Sequence, residues 1–357
     1  RIRKNHCPSP LFANNNNNKE TITTARRDAS SSDNKENNNS ISKKKKGSFL
    51  FTLPDDDDVA VMGVWLNRPS KRNRSPFTAD VLLESEGREV IVHVPSLDMG
   101  GKCIPGSKLL MRPARDQKGN LVGKDAVSPK YGTPKCEFIA QLLYVDESGY
   151  DPTWVGAHPK LGERIAEEFI KRNLLLLPEV KSYKREVAKP GGSDMRADFV
   201  IEHVDDSLKP RVLEVKTVVD TDYSKFIDMP NNNKVLYTSD EVPYRRAAIF
   251  PWGQSSRQKG PDGEKVVSAR AIKHVRELTN LVVESKFDTT VLFVVVRDDA
   301  EFFRANDEAC PSFARYLKEA SDKGVQIIAK QVHWVDDGLR KHCYEGDFLD
   351  IEWPKEE

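Results

Sequence analysis

The chain has 357 residues, of which 38% are hydrophobic and 31% are charged, and its formal net charge is +1. That length and apolar content suffice for more than one folded domain. The longest apolar runs, such as "TVLFVVV", are far shorter than the roughly 20 residues that cross a bilayer, so we expect a soluble protein. Because the net charge is near zero, any binding to nucleic acid must depend on a local basic patch.

The cysteine pattern argues against a disulfide-stabilised fold and against a zinc-binding fold. The cysteines are Cys7, Cys103, Cys136, Cys310 and Cys343. They are odd in number and widely scattered, and they form neither a disulfide framework nor a CxxC pair suited to zinc. We therefore expect a reducing, intracellular setting.

Residues 1–60 are a polar, low-complexity segment with tracts such as "NNNNN", "KKKK" and "DDDD". Such a composition buries too little apolar surface to offset the entropy of ordering, which predicts a disordered extension. Three interpretations of this segment stay open. Its basic, Ser- and Asn-rich start resembles an organellar transit peptide, "KKKK" resembles a nuclear address, and a solvated tail would carry no address.

Residues 61–147 show the alternation of short β-strands. "VMGVWL", "FTADVLL", "REVIVHV", "KLLMR" and "EFIAQLLY" are separated by turn-forming residues. About five strands without an intervening helix predict a small closed barrel. Its loops are basic, and Arg72, Arg74 and Lys102 are candidate phosphate contacts, because clustered cations release the counterions of a nucleic acid. Interleaved carboxylates keep a second interpretation open, that of a solvated surface of mixed charge.

Residues 148–357 alternate between strand and helix patterns. "LGERIAEEFIKRNLLL" has helical apolar periodicity, and "ADFVIEHV" and "RVLEVKTVV" are strand candidates. A polar insertion over residues 220–264 is expected to be a surface loop. A helix from about Ser268 to Glu284, the strand "TVLFVVV", the helix "SFARYLKEASDKG" and the strand "VQIIAKQV" follow. This order predicts an α/β domain whose sheet has parallel members and helices packed against it.

The stretch "RADFVIEHVDDSLKPRVLEVK" carries the most specific candidate chemistry. Strand alternation directs Glu214 and Lys216 to one face, and Leu213 and Val215 to the core. An adjacent strand carrying Asp198 would add a second carboxylate, and two hard oxygen ligands suit Mg²⁺ or Mn²⁺. With Lys216 orienting a water molecule, that set would serve phosphodiester hydrolysis. The same spacing fits a solvated strand face on which Glu214 and Lys216 pair without a metal.

Several collinear motifs resemble the sugar fermentation stimulation protein (SfsA) family over about residues 65–335. They include "FTADVLL", "VGAHPKLGERIAEEFIKRN", "MRADFVI", "VLEVKTV", "IFPWG" and "SARAIKHVRELTNLV". The resemblance implies an OB-like barrel followed by a PD-(D/E)XK nuclease-like domain, a restriction-endonuclease-like mixed sheet flanked by helices. It implies DNA binding with a regulatory role, and it implies nuclease activity by analogy of fold alone.

The resemblance also assigns catalytic and metal-binding residues. The nuclease-like pattern falls on Asp198, Glu214 and Lys216, with Glu167 as the acid contributed by a helix. Asp198 and Glu214 would then be the ligands of Mg²⁺ or Mn²⁺. These four side chains are the predicted catalytic set.

A second motif concerns phosphate binding. Arg270, Lys273 and His274 match the "R..KH" pattern of the family, and cationic groups there would hold a phosphate. The alternative for His274 is a histidine on the helix surface that has no function.

Three functions follow as hypotheses. The first is a DNA-binding protein that contacts mainly backbone phosphates with little sequence readout, with RNA as a second candidate partner. The second is a divalent-metal-dependent nuclease. The third is a binding protein for another ligand in which both sites are vestigial.

Overall fold

The structure, a computed structural model, describes residues 47–55, 58–96, 99–147, 150–225, 238–239, 241–253, 258–338 and 340–354. The predicted disordered extension, residues 1–60, lies largely outside the described residues. Where the two overlap the prediction is wrong, because Phe49–Leu53 is strand β1 and its Leu50, Phe51 and Leu53 are buried. The apolar "FLFTL" between the "KKKK" and "DDDD" tracts supplies the buried side chains. Because its flanks are polar, the composition of the whole segment predicted disorder there as well.

A sheet that closes on itself follows β1. Its strands are β2 (Val61–Asn67), β3 (Thr78–Leu83), β4 (Glu89–His93), β5 (Lys108–Pro113), β6 (Phe138–Val145) and β7 (Thr153–Gly156). The strand order is β4-β3-β2-β5-β6-β7, and the additional pairing of β4 with β6 closes five strands into a barrel. The prediction of a small closed barrel is confirmed. β7 extends its edge by pairing antiparallel with β6.

The remaining elements build a large mixed sheet and its helices. In chain order they are α1 (Lys160–Lys171), β8 (Val180–Ala188), β9 (Arg196–His203), β10 (Arg211–Val218), β11 (Asp220–Thr221), β12 (Tyr223–Ser224), β13 (Thr238–Ser239), β14 (Ala247–Phe250), β15 (Gln258–Lys259), β16 (Lys265–Val266), α2 (Ala269–Val283), β17 (Asp288–Val295), β18 (Phe302–Ala305), α3 (Pro311–Asp322), β19 (Gln326–Asp336) and β20 (Lys341–Glu352). β12 pairs with β13 and β15 with β16, outside the large sheet.

The large sheet has the order β11-β14-β18-β20-β19-β17-β10-β9-β8, with β1 added beside β20. β10, β17 and β19 are parallel to one another, whereas β9 is antiparallel to β10. The predicted mixed sheet with parallel members is confirmed. The insertion over residues 220–264 is not a loop throughout, because β14 is a buried strand of this sheet. Its apolar run "AAIF" is short and lies among polar residues, so the sequence pattern does not indicate a strand there.

Helices cover both faces of the sheet. The apolar stripe of α1 packs on one face in a core that continues into the barrel, and α2 and α3 pack on the opposite face. Within the described part of the chain, no helix is long and apolar enough to span a membrane. β10 therefore lies in a part of the sheet that packs against helices on both faces.

Candidate functional site

The strand pair predicted to carry the site is β9 and β10. The two strands are antiparallel with Phe199 opposite Leu213, so Asp198 and Glu214 follow directly at the end of the ladder. Alternation holds as predicted, because Leu213 packs in the core with α1 while Glu214 contacts α2. That second face is not solvated, since Glu214 is only 3% exposed and the side chain of Lys216 is 12% exposed. The alternative of a solvated face is therefore wrong, although Glu214 and Lys216 do form the ion pair that it expected.

Glu214 has one oxygen held by protein donors and one that is not. Its Oε1 accepts a hydrogen bond from Nδ1 of His274 at 2.5 Å and forms an ion pair with Nζ of Lys216. Its Oε2 is buried and has no hydrogen-bond partner among the described residues. Burial alone would raise the pKa of Glu214, but Lys216 and His274 outweigh burial and lower the pKa. A buried anionic oxygen without a partner is costly, and a bound cation would compensate it.

Asp198 is the second predicted carboxylate. Its Oδ2 accepts a hydrogen bond from the backbone N–H of Val215 at 2.6 Å. Burial and then the negative charge of Glu214 raise the pKa of Asp198 to about 7. Neighbouring carboxylates that resist ionising together favour a bound cation, because its charge relieves their repulsion.

Two further carboxylates extend the site into an acidic cluster. Carboxylate oxygens of Glu163, Glu186 and Asp198 lie within 4.8 Å of one another. Glu163 is contributed by α1 and Glu186 by β8, where it adopts a positive φ of 51°. Carboxylate oxygens are the ligands that Mg²⁺ and Mn²⁺ prefer. Glu214 is not one of these three residues, but it follows the last paired position of β10 just as Asp198 does on β9. The residues present therefore fit a divalent cation.

The structure does not bring Glu167, the predicted helical acid, to that cluster. Its oxygens accept hydrogen bonds from the hydroxyl of Tyr183 at 2.9 Å and from Arg185 at 2.7 Å. Glu163, one helical turn earlier, stands in its place. Sequence reasoning missed Glu163, because one helix carries several glutamates and only the tertiary fold selects among them. It missed Glu186 because β8, "VKSYKREVA", has no apolar alternation to mark it as a strand.

The three α2 residues predicted to hold a phosphate are in different surroundings. His274 is only 5% exposed and faces Glu214, so the alternative of a surface histidine is wrong and a direct contact with nucleic acid is blocked. Lys273 is exposed and pairs with Asp194 at 2.6 Å. Arg270 is exposed, and its Nε lies 3.5 Å from Nε2 of His274. Arg270 and Lys273 stay candidates for phosphate contacts, whereas His274 belongs to the carboxylate site.

Lys102, predicted to contact phosphates from a barrel loop, is buried. It is 5% exposed, and its Nζ bonds the hydroxyl of Tyr223 at 2.7 Å and pairs with Glu147 at 3.2 Å. Burial lowers the pKa of Lys102 to about 8. Since Lys102 is enclosed by Glu147 and by Tyr223 of β12, its assignment to nucleic-acid binding is wrong. Arg72 and Arg74 are exposed in the loop between β2 and β3 and stay predictions.

A basic groove of about 730 Å³ lies on the barrel. Its lining carries the cations Arg115, Lys118 and Lys135 with Asp116 as the one carboxylate. Lys118 and Lys135 are exposed, and Arg115 pairs with Asp58 at 2.9 Å. The two lysines leave the groove with an excess of positive charge.

His158 lies two residues before the start of α1. Burial, and then the positive charges of Arg112, His93 and Lys160, lower the pKa of His158 to about 4. His93 lines the groove and Lys160 is the first residue of α1. At neutral pH His158 is therefore uncharged, and Lys160 is the cation at the start of the helix.

The start of α1 is packed directly on β10. The hydroxyl of Thr217 donates a hydrogen bond to the carbonyl of Pro159 at 3.2 Å, and a Cβ on Gly162 would collide with that same hydroxyl. Glycine at 162 lets the helix approach the strand, which brings Glu163 to the acidic cluster. The first turn of α1 thus carries both Lys160 and Glu163, a member of the acidic cluster.

Known proteins resemble this chain in sequence over most of its length. Residues 261–338 match the family model described as "Sugar fermentation stimulation protein RE domain". The sugar fermentation stimulation protein homolog of Brucella ovis is 29% identical over 274 residues, which is 75% of this chain and 89% of that protein. The homolog of Acaryochloris marina is 23% identical over 266 residues, which is 74% of this chain and 85% of that protein.

A solved structure shares the fold. Pyrococcus furiosus SfsA, determined in complex with Ca²⁺, has a TM-score of 0.53 and 18% sequence identity, and the match covers 85% of this chain and 99% of that one. The mixed α/β fold with a preceding barrel is therefore the fold of that protein. This chain is therefore similar to sugar fermentation stimulation proteins in sequence and to Pyrococcus furiosus SfsA in fold.

Proposed function

We propose that this protein is a DNA-binding protein of the SfsA type that contacts mainly the phosphate backbone. The observation that carries the proposal is the excess of positive charge in the barrel groove, where Lys118 and Lys135 are exposed. Cations along a groove neutralise successive phosphates and release their counterions. They address no base edge, so little sequence readout is expected. The OB-like type of the barrel, which the resemblance implies, suits this role.

Salt dependence tests this function. The full chain is mixed with labelled single- and double-stranded DNA, and with RNA of the same sequences, over a series of salt concentrations. We expect the affinity to fall steeply with salt and to depend weakly on sequence. Absent binding, or binding that salt does not weaken, would refute the proposal. Clearly tighter binding of RNA than of DNA would make RNA the proposed partner, with the groove still the proposed binding site.

A second function is favoured by a separate observation, the unpartnered Oε2 of Glu214 beside the acidic cluster. We propose a divalent-metal-dependent nuclease of the PD-(D/E)XK type, and we extend to this chain the divalent cation that the Pyrococcus furiosus structure names. Asp198, Glu163 and Oε2 of Glu214 would hold Mg²⁺ or Mn²⁺. The cation would stabilise charge on the phosphate and lower the pKa of an attacking water. Lys216, held against Glu214, would orient that water.

Cleavage assays separate this function from binding alone. Supercoiled and linear DNA are incubated with Mg²⁺, with Mn²⁺ or with a chelator, using the wild-type protein, Glu214→Gln, Lys216→Ala and the exposed control Asn280→Ala. We expect cleavage that needs the metal, survives in the control, and is lost in both site variants. Intact DNA after long incubation of the wild-type protein with either metal would refute the nuclease and leave DNA binding standing.

A further inference from the structure

The carboxylate of Glu214 is held from the α2 side by a buried histidine. Nδ1 of His274 lies 2.5 Å from Oε1 of Glu214, and both residues are almost fully buried. An ionised carboxylate can only accept hydrogen bonds, so Nδ1 carries the hydrogen and donates it. Lys216 directs its Nζ to the same oxygen. Both protein donors therefore converge on Oε1 and leave Oε2 without a partner among the residues described.

The other edge of the imidazole ring is also defined. Nε of Arg270, one helical turn earlier on α2, lies 3.5 Å from Nε2 of His274. A guanidinium group has donors and no acceptor, so Nε2 of the histidine is the accepting atom. The ring thus lies between a donor on its own helix and an acceptor on β10, which fixes both its tautomer and its orientation.

We propose that His274 is a positioning residue for metal binding: by holding Oε1 of Glu214, it leaves Oε2 as the oxygen offered to a divalent cation. The inference rests on the proposed metal site. Lys216 alone would hold Oε1 through a flexible chain, and the carboxylate would then rotate between orientations. A donor that orients a metal ligand typically changes metal affinity 10–100-fold.

The test compares two amide substitutions that differ in where the amide lies. Asn places its amide near the position of Nδ1, whereas Gln places its amide near that of Nε2. Mn²⁺ binding to the full chain, freed of metal by a chelator, is measured calorimetrically for the wild type, His274→Asn, His274→Gln and His274→Phe. Asn280→Ala, an exposed residue two turns further along α2, is the control. Thermal unfolding without metal confirms that each variant is folded.

We expect His274→Asn and the control to bind Mn²⁺ within about threefold of the wild type, and His274→Gln and His274→Phe to bind at least about tenfold more weakly. Equal affinity in all variants would overturn the role of His274 and leave the metal site intact. Equal loss in Asn and Gln would also overturn it, since packing rather than the hydrogen bond would then matter. A wild type that binds no Mn²⁺ would remove the metal site itself, and this inference with it.

Discussion

The raised pKa of Asp198 makes the metal-free protein less stable at neutral pH than it would be with a neutral side chain there. Burial and the charge of Glu214 raise that pKa from 3.8 to about 7. Asp198→Asn removes the charge and retains a carbonyl oxygen that can accept the hydrogen bond from Val215. The substitution therefore isolates the contribution of the Asp198 charge to the free energy of unfolding.

The sign and size of the stability difference between Asp198→Asn and the wild type follow from the linkage between proton binding and folding. An acid whose pKa is higher in the folded state binds an extra proton on folding, so its contribution to stability is greatest below about pH 4 and is lost as pH rises to about 7. Three pKa units correspond to about 4 kcal/mol, which is an upper value because Lys216 and Glu214 respond to the same charge. We expect Asp198→Asn to match the wild type near pH 4 and to be more stable by about 1–4 kcal/mol at pH 8.

Denaturant unfolding with a chelator present, at several pH values between 4 and 8.5, measures this difference. Subtracting the wild-type curve from that of the variant cancels other titrating groups. Saturating Mn²⁺ at pH 8 should reverse the order, because only the wild type retains the ligand. A difference that does not change between pH 4 and pH 8 would refute the account of Asp198, as would a variant that is less stable at pH 8 without metal.

Two other predictions concern α1. Gly162→Ala should destabilise the protein by about 1–3 kcal/mol, because the added methyl group collides with Thr217. The double variant with Thr217→Ala should recover part of that loss in thermal unfolding. If no stability is recovered, the collision is not the cause. Glu163→Gln should weaken Mn²⁺ binding at least about tenfold, whereas Glu167→Gln, one turn along the same helix, should bind nearly as the wild type does. Calorimetry that finds the opposite order would restore Glu167 as the helical acid.

Local pattern predicted the elements that build the site better than it predicted the site. The apolar periodicities of α1 and α2, and the alternation of β9 and β10, are encoded within each segment. They correctly indicated that Glu214 and Lys216 share a face. Whether that face is wet depends on α2, which returns to the strand from some 60 residues away in the chain, and no local pattern carries that information.

The remaining differences have the same physical origin. Lys102 lies in a loop rich in glycine and charge, which is typical of surface, yet Tyr223 and Glu147 from distant segments enclose it. Glu186 is on a largely exposed edge strand whose sequence has no apolar face to reveal it. Tertiary contacts decide both residues, so the sequence predicted the kinds of group in the site and missed part of their identity.

The claim that the barrel groove binds a phosphate backbone is tested most directly by removing its lysines. Lys118 and Lys135 are replaced together by Ala, and a control replaces the exposed Lys209 and Lys323, so both double variants lose two positive charges. The slope of log affinity for DNA against log salt is measured for each. We expect the groove variant to lose about 1–2 units of slope and the control to keep the wild-type slope. An unchanged slope in the groove variant, or an equal loss in both variants, would contradict the proposed nucleic-acid interface.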